Sequence, residues 1–366
     1  MAKVPDRLRD LAELGWDDDF ATALQALHDT ALVPGRVVAQ LGPWERVATA
    51  AGEVAARTPG GVRHRATSAL ELPTIGDWVA LRLSTVPGEP ARLEAVLARR
   101  SAFVRRAAGE RDELQVVAAN IDIVLLAAGL DGDFNPRRLD RYLTLAWESG
   151  AQPVVLLTKA DLAVDLESSL AAVRAAAPGV PVLAISVVDG RGLEELAAFF
   201  RPGRTVAFLG SSGVGKSTLL NRLLGTETQR VSAVRASDRR GRHTTTRREL
   251  FTLPGGALAI DTPGMRELQL WESDSGLEAT FEDLEALAAD CRFRDCGHSN
   301  EPGCAVTAAL VAGTLAPERL ASWRKLEAEQ QQLEVRRDAQ ARLAEKAADK
   351  VQHKALRQLY QKRGRR

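Results

Sequence analysis

The chain has 366 residues, enough for two or three domains with separate cores. Its hydrophobic (45%) and charged (27%) content is ordinary for a globular protein, and no run approaches the ~20 apolar residues of a membrane helix. A net charge of +1 excludes a global basic field, so any attraction to nucleic acid must come from local patches.

The opening residues, Met1-Ala2-Lys3-Val4-Pro5-Asp6-Arg7, lack the apolar run of a signal peptide, so a cytoplasmic protein without a membrane anchor is expected. Residues 1–33 carry Leu8, Leu11, Leu14, Phe20, Leu24 and Leu27 at irregular helical spacing and predict a short helical extension. From Pro34 the texture changes to β: Arg36–Gln40, Trp44–Thr49, Asp77–Leu83 and Ala91–Leu97, punctuated by Gly42-Pro43, Pro59-Gly60-Gly61 and Pro87-Gly88. Five short strands over residues 34–106 would suit an OB-type barrel with an RNA-binding role. Arg63-His64-Arg65 with Trp44 or Trp78 offers a nucleic-acid surface; against it stand a solvated loop for the basic trio and core positions for the tryptophans.

Residues 107–270 read as a doubly wound α/β domain. A strand–helix alternation is expected from near Val116, with almost wholly apolar runs at Ile123–Ala128, Val154–Leu157, Val182–Ile185, Thr205–Leu209 and Ala257–Ile260. Helices are predicted at Pro136–Glu148 and Leu166–Ala177.

Four segments of interest sit at the ends of those strands. Thr158-Lys159-Ala160-Asp161 follows the second, where the Asp161 carboxylate can accept two hydrogen bonds from a guanine edge and the Lys159 stem can cover the base. Ser186-Val187-Val188, after the third, is a supporting base-side loop through Ser186. Gly210-Ser211-Ser212-Gly213-Val214-Gly215-Lys216-Ser217-Thr218 joins an apolar strand to a helix, the context a phosphate-binding P-loop requires. Its glycines admit backbone amides to the phosphates, Lys216 reaches the β- and γ-phosphates, and Ser217 ligates Mg²⁺. Asp261-Thr262-Pro263-Gly264 then reads as the γ-phosphate switch, with Asp261 toward Mg²⁺ and the Gly264 amide toward phosphate. Met265 stands where Ras-like enzymes carry a water-orienting glutamine, a task no apolar side chain performs. Between the P-loop and Asp261 lies Arg239-Arg240-Gly241-Arg242-His243-Thr244-Thr245-Thr246. Its three threonines compete to close over Mg²⁺, with Thr245 favoured; His243 either positions water or, with its arginines, meets RNA or solvent.

Residues 271–323 turn acidic and helical around Cys291, Cys296, His298 and Cys304, a cluster that uses every cysteine in the chain. Four soft ligands with no open position suit one structural Zn²⁺. Residues 324–366 predict a charged helix whose last part, from Lys350, holds seven basic residues and no acidic one. Such a tail fits either a solvated helix end or phosphate-backbone binding.

The motif order is the most telling feature. An ordinary small GTPase places the guanine-reading motif after the P-loop and the switch; here Thr158–Asp161 precedes both, which indicates a circularly permuted GTPase domain. With the barrel before it and the Cys-x₄-Cys-x-His-x₅-Cys module after it, the chain resembles the bacterial ribosome small-subunit-dependent GTPases from roughly Pro34 to Trp323. That family carries Phe or a similar apolar residue after the switch glycine, so Met265 departs mildly while preserving the missing glutamine. The resemblance implies late maturation of the small (30S) ribosomal subunit, with rRNA as the binding surface and hydrolysis of GTP to GDP as the release signal. A monomer is expected. The alternative is a GTP-gated RNA-binding factor whose hydrolysis is incidental.

Overall fold

The computed structural model describes residues 10–66, 68–106, 114–131, 135–211, 213–225, 249–261, 274–299, 301–332 and 335. At its start, a 3-10 turn at Leu11–Leu14 leads into α1 (Asp18–Gln25), capped by the Asp17 carboxylate. Trp16 and Phe20 pack on Trp78 with ring centroids 4.7 and 5.8 Å away, and Arg100 bridges Asp17 and Asp19 at 2.6 and 2.8 Å. The extension is therefore a clasp on the barrel.

Five strands close that barrel: β1 (Val33–Leu41), β2 (Trp44–Thr49), β3 (Gly52–Arg57), β4 (Trp78–Arg82) and β5 (Ala91–Val96). Their order is β1-β2-β3-β5-β4 and back to β1, the closure of an OB-type fold. Alternate inward residues, among them Val37, Val47, Val79, Leu81 and Leu93, fill it. Trp78 is fully buried, as a core reading requires, but Trp44 is 37% exposed at the hairpin tip with Arg57 over its ring. The basic trio also departs from expectation. Arg63 to Arg65 lie in a short helix, α2 (Gly60–Arg65), rather than in a loop.

β6 (Ala102–Arg106) and β7 (Leu114–Ala119) pair with each other in an antiparallel ribbon. The run around Val116 is thus a hairpin arm, and the parallel alternation begins one strand later. A short, continuous apolar run carries no mark of which partner it will take.

The α/β sheet runs β10 (Val182–Ala184), β9 (Gln152–Thr158), β8 (Ile123–Gly129), β11 (Thr205–Gly210), β13 (Leu258–Asp261), β12 (Glu249–Thr252), all parallel except β12. α3 (Pro136–Ser149), α4 (Leu166–Ala176), α5 (Leu193–Ala197) and α6 (Lys216–Leu224) connect its strands. Because β12 also pairs with β1, barrel and α/β domain share one continuous sheet.

Two buried arginines rivet the units together. Arg36 on β1 is 1% exposed and donates to the Thr205 hydroxyl (2.7 Å), the Asn120 carbonyl (3.0 Å), the Gly76 carbonyl (3.2 Å) and the Leu14 carbonyl. Burial pulls its pKa down to about 10, against the attraction of Asp122 and Asp77. Arg319 reaches from the C-terminal helix spanning 317–332 to Asp140 on α3 (3.0 Å), to Asp283 (2.8 Å) and to the Thr280 carbonyl (2.6 Å), with Phe281 under its guanidinium. α7 (Asp274–Thr280) and α8 (Glu282–Ala289) supply those last groups, and α9 (Ala305–Ala312) follows the cysteine cluster. No helix among the described residues is long and apolar enough to cross a membrane.

Candidate nucleotide site and metal centre

Parallel pairing of β8, β9, β11 and β13 brings their carboxyl ends to one edge, where open α/β sheets bind ligands. β11 ends on Gly210, where a Cβ would lie 2.4 Å from the Ala127 carbonyl. Only glycine lets the chain leave the sheet so close to β8. α6 then begins on Gly215, held at φ +99° with no side-chain cap. Uncapped first-turn amides and the positive end of the helix field favour an anion there. Ser217 is half-buried and Thr218 exposed in that turn. Lys216 arches back over the loop, its ammonium donating to the carbonyls of Gly210 (2.6 Å) and Ser211 (2.5 Å).

The base-reading motif meets this loop directly. Thr158 is buried at the end of β9, and its hydroxyl donates to the carbonyl of Val214 at 2.7 Å. Lys159 adopts φ +58° and pairs with Asp131. Ala160 is buried and donates its amide to the Ile185 carbonyl (3.1 Å), while Asp161 stands exposed on the following turn. Ser186 is fully buried, and its hydroxyl accepts the amides of Val188 (3.2 Å) and Asp189 (3.3 Å). Ser186 therefore shapes the base-side loop from within. The Arg191 amide bonds Asp189 and holds its carboxyl below the usual range.

Asp131 is a site residue that motif reading missed. It follows β8, and its signal, Gly129-Leu130-Asp131 after an apolar strand, acquires meaning only once β8 is known to lie between β9 and β11. Asp261 ends β13 beside the P-loop strand. Ser212, Gly264, Met265, His243 and Thr244 to Thr246 lie outside the described residues, as does the basic tail from Lys350.

A second cluster stands apart from the nucleotide edge. Cys291, Cys296, His298 and Cys304 hold their ligand atoms within 4.8 Å of one another. Cys291 and Cys304 Sγ each lie 3.6 Å from His298 Nδ1, and 3.9 Å from each other. A tetrahedron with metal–sulfur bonds near 2.3 Å and metal–nitrogen bonds near 2.0–2.1 Å has edges of about 3.6 and about 3.8 Å. The donor set therefore fits one four-coordinate metal ion. Cys304 also caps α9, accepting the Thr307 amide at 3.4 Å. Burial opposes its ionisation, but Thr307, His298 and Cys296 together bring the thiol down to about 6. Trp323 packs edge-on to His298, and Arg324 binds the His298 carbonyl at 2.7 Å, which fixes the ligand loop to the C-terminal helix.

The RsgA GTPase family model matches residues 96–271. A small ribosomal subunit biogenesis GTPase RsgA of Opitutus terrae is 50% identical, covering 87% of this chain and 89% of its own. One from Lactiplantibacillus plantarum is 46% identical over 93% of this chain and 97% of its own. The crystal structure of YjeQ from Thermotoga maritima superimposes with a TM-score of 0.61 at 25% identity, over 82% of this chain and 98% of that one. YloQ, described as a circularly permuted GTPase, gives 0.61 at 23% identity over 83% and 97%, a likeness of fold.

Proposed function

Because the chain belongs to the RsgA GTPase family, we propose that it is a GTPase of small ribosomal subunit biogenesis that binds 30S rRNA and hydrolyses GTP to leave the matured particle. The observation that carries this reading is the hydrogen bond from Thr158 to Val214, which joins a base-reading motif and a P-loop arriving in permuted order.

Asp161 selects guanine, Lys159 covers the base while Asp131 holds its ammonium, and the loop shaped by Ser186 closes the base side. Gly210 to Thr218 cradle the phosphates, with Lys216 swinging from the loop carbonyls to the β- and γ-oxygens. Ser217, Asp261 and Thr245 would hold Mg²⁺, which supplies charge neutralisation on the phosphates when bound. The Gly264 amide and Thr245 sense the γ-phosphate, and His243 orients the attacking water. The Cys₃His set holds a structural Zn²⁺, since all four positions belong to protein. The barrel and the basic tail contact rRNA, and the protein works as a cytoplasmic monomer.

The test is co-sedimentation with purified small subunits. Binding is expected with a non-hydrolysable GTP analogue, weakened with GDP, and indifferent to ATP. Equal retention with ATP, or none in any nucleotide, would sink the reading.

A further inference from the structure

β1 belongs to both halves of the continuous sheet. Val33 to Arg36 pair with Leu81 to Trp78 of β4 and close the barrel. The register against β2 slips between Val37 and Ala39, and beyond this bulge Ala39 pairs with Glu249 of β12. A bulge bends a strand and re-aims it. Here it carries β1 out of the barrel and into the α/β sheet.

Two arginines hold this region in different ways. Arg36, before the bulge, is locked by its buried donors to Thr205, Asn120 and Gly76. Arg46, opposite Ala39 on β2, is 39% exposed and stands between two carboxylates. Its Nε lies 3.3 Å from Glu53 within the barrel, and its Nη2 lies 3.4 Å from Glu249 in the α/β domain. Closed charge-assisted contacts are shorter, about 2.7–2.9 Å. A cation shared at such distances can settle on either partner.

Glu249 is also placed to hear the nucleotide. It follows directly on the segment that contains Thr244 to Thr246, and across β12–β13 its register partner is Asp261. One residue thus has a switch segment before it in the chain, Asp261 on one side and the barrel on the other.

We propose that the Glu249–Arg46 pair couples nucleotide state to the barrel, with Arg36 as the pivot. The proposal rests on the reading that the threonine segment and Asp261 sense the γ-phosphate. When β12 shifts, Arg46 transfers toward Glu53 and frees the β1–β2 end of the barrel, while Arg36 keeps the other end on β11. The coupling element is then a defined two-position contact rather than mere proximity.

Hydrogen exchange on the full chain, with GDP against a non-hydrolysable GTP analogue, tests this. In the wild type, exchange should respond to nucleotide both at residues 210–218 and at residues 36–49. Glu249→Gln and Arg46→Gln should each shrink the response at 36–49 by about two- to fivefold, the reach of a partly exposed ion pair, and leave that at 210–218 unchanged. The double variant should do no more than either single one. Both side chains are partly exposed, so the variants should keep the wild-type melting temperature. Full responses at 36–49 in both single variants would overturn the coupling, as would an effect of Arg46→Gln that Glu249→Gln does not share. No nucleotide response at 210–218 in the wild type would instead remove the GTP reading on which the coupling stands.

Discussion

The hydroxyl of Thr158 donates to the carbonyl of Val214 at 2.7 Å, across 56 residues of chain. In the sheet those residues are near neighbours, because β9 and β11 flank β8. Parallel pairing fixes which strand ends meet, and it is indifferent to the order in which the chain supplies them. That is why a permuted sequence can rebuild a guanine-nucleotide edge. The permutation also has a consequence at the other end. Asp261, read as the γ-phosphate switch, now comes shortly before α7, which packs on α3, and α8; with Asp140 the two helices hold Arg319.

In the proposed site, base choice follows from Asp161. Its carboxylate stands exposed beside Lys159 at the end of β9, where two acceptor oxygens match the paired donors of guanine. Asp161→Asn should lose GTP and gain xanthosine nucleotides, whose edge offers the complementary pattern. Discrimination built on such hydrogen bonds can change by orders of magnitude when one partner changes. Competition binding with GTP, XTP and ATP measures it, and an unchanged preference for GTP would remove Asp161 from the role.

Much of this arrangement was legible in the sequence, for a physical reason. Parallel strands buried on both faces read as unbroken apolar runs, so β8, β9 and β11 were visible, as was β2 with its ends at Trp44 and Thr49. The Cys₃His set was visible because soft ligands at short spacing have few other uses. β3, Gly-Glu-Val-Ala-Ala-Arg, was not, since only one of its residues is buried and its small side chains give little apolar contrast between the two faces. Neither was β12, four residues whose strand character comes from two neighbours far away in sequence. Arg36 looked like any surface arginine, because burial of a guanidinium is decided by acceptors from four distant segments, three carbonyls and the Thr205 hydroxyl.

The α3 rivet should be among the costliest contacts to break. Arg319→Met leaves Asp140 buried without its cation, and loss of one partner of a buried pair typically costs about 3–5 kcal/mol. Asp140→Leu combined with Arg319→Met should recover much of that in denaturant titrations. The pH dependence has a definite sign. Burial raises the Asp140 pKa above 3.8, more than Ser322 and Arg319 lower it. The folded state therefore keeps a proton that the unfolded chain releases, and this contribution to stability falls as pH rises from 3.8 to the folded value, then levels off. Asp140→Asn has no such window. The stability of wild type relative to this variant should decline with rising pH there, and a rise would contradict the burial argument.

Zinc should be separable from nucleotide. Metal binding in small modules carries on the order of 10 kcal/mol of folding free energy, and residues 291–304 have little apolar core of their own. Of the four ligands only Cys304 and His298 are buried. The wild type should carry one equivalent of zinc by elemental analysis, and Cys291→Ser should abolish it and open this segment to proteolysis. GTP binding should survive, because the side-chain contacts described for the cluster run to the C-terminal helices and not to the proposed nucleotide motifs. A metal-free chain that resists protease equally well would dismiss a structural role for the ion.

GTP hydrolysis should be slow in isolation and strongly accelerated by the small ribosomal subunit. Met265 leaves no glutamine to position water, so the free enzyme depends on another group. His243 is that group in this reading, and it is flanked by Arg239, Arg240 and Arg242, cations suited to rRNA phosphates. Contact with rRNA would then set the imidazole against the γ-phosphate, and a catalytic element completed by a partner raises phosphoryl transfer by ~10³–10⁵. The stimulation should weaken as salt rises, because the arginines displace counterions on binding RNA. Steady-state turnover of wild type and His243→Ala, with and without small subunits, separates the possibilities. Wild type as fast alone as with subunits would end the partner-activation idea. His243→Ala that binds subunits normally and is fully stimulated would leave activation standing and assign the water to another residue.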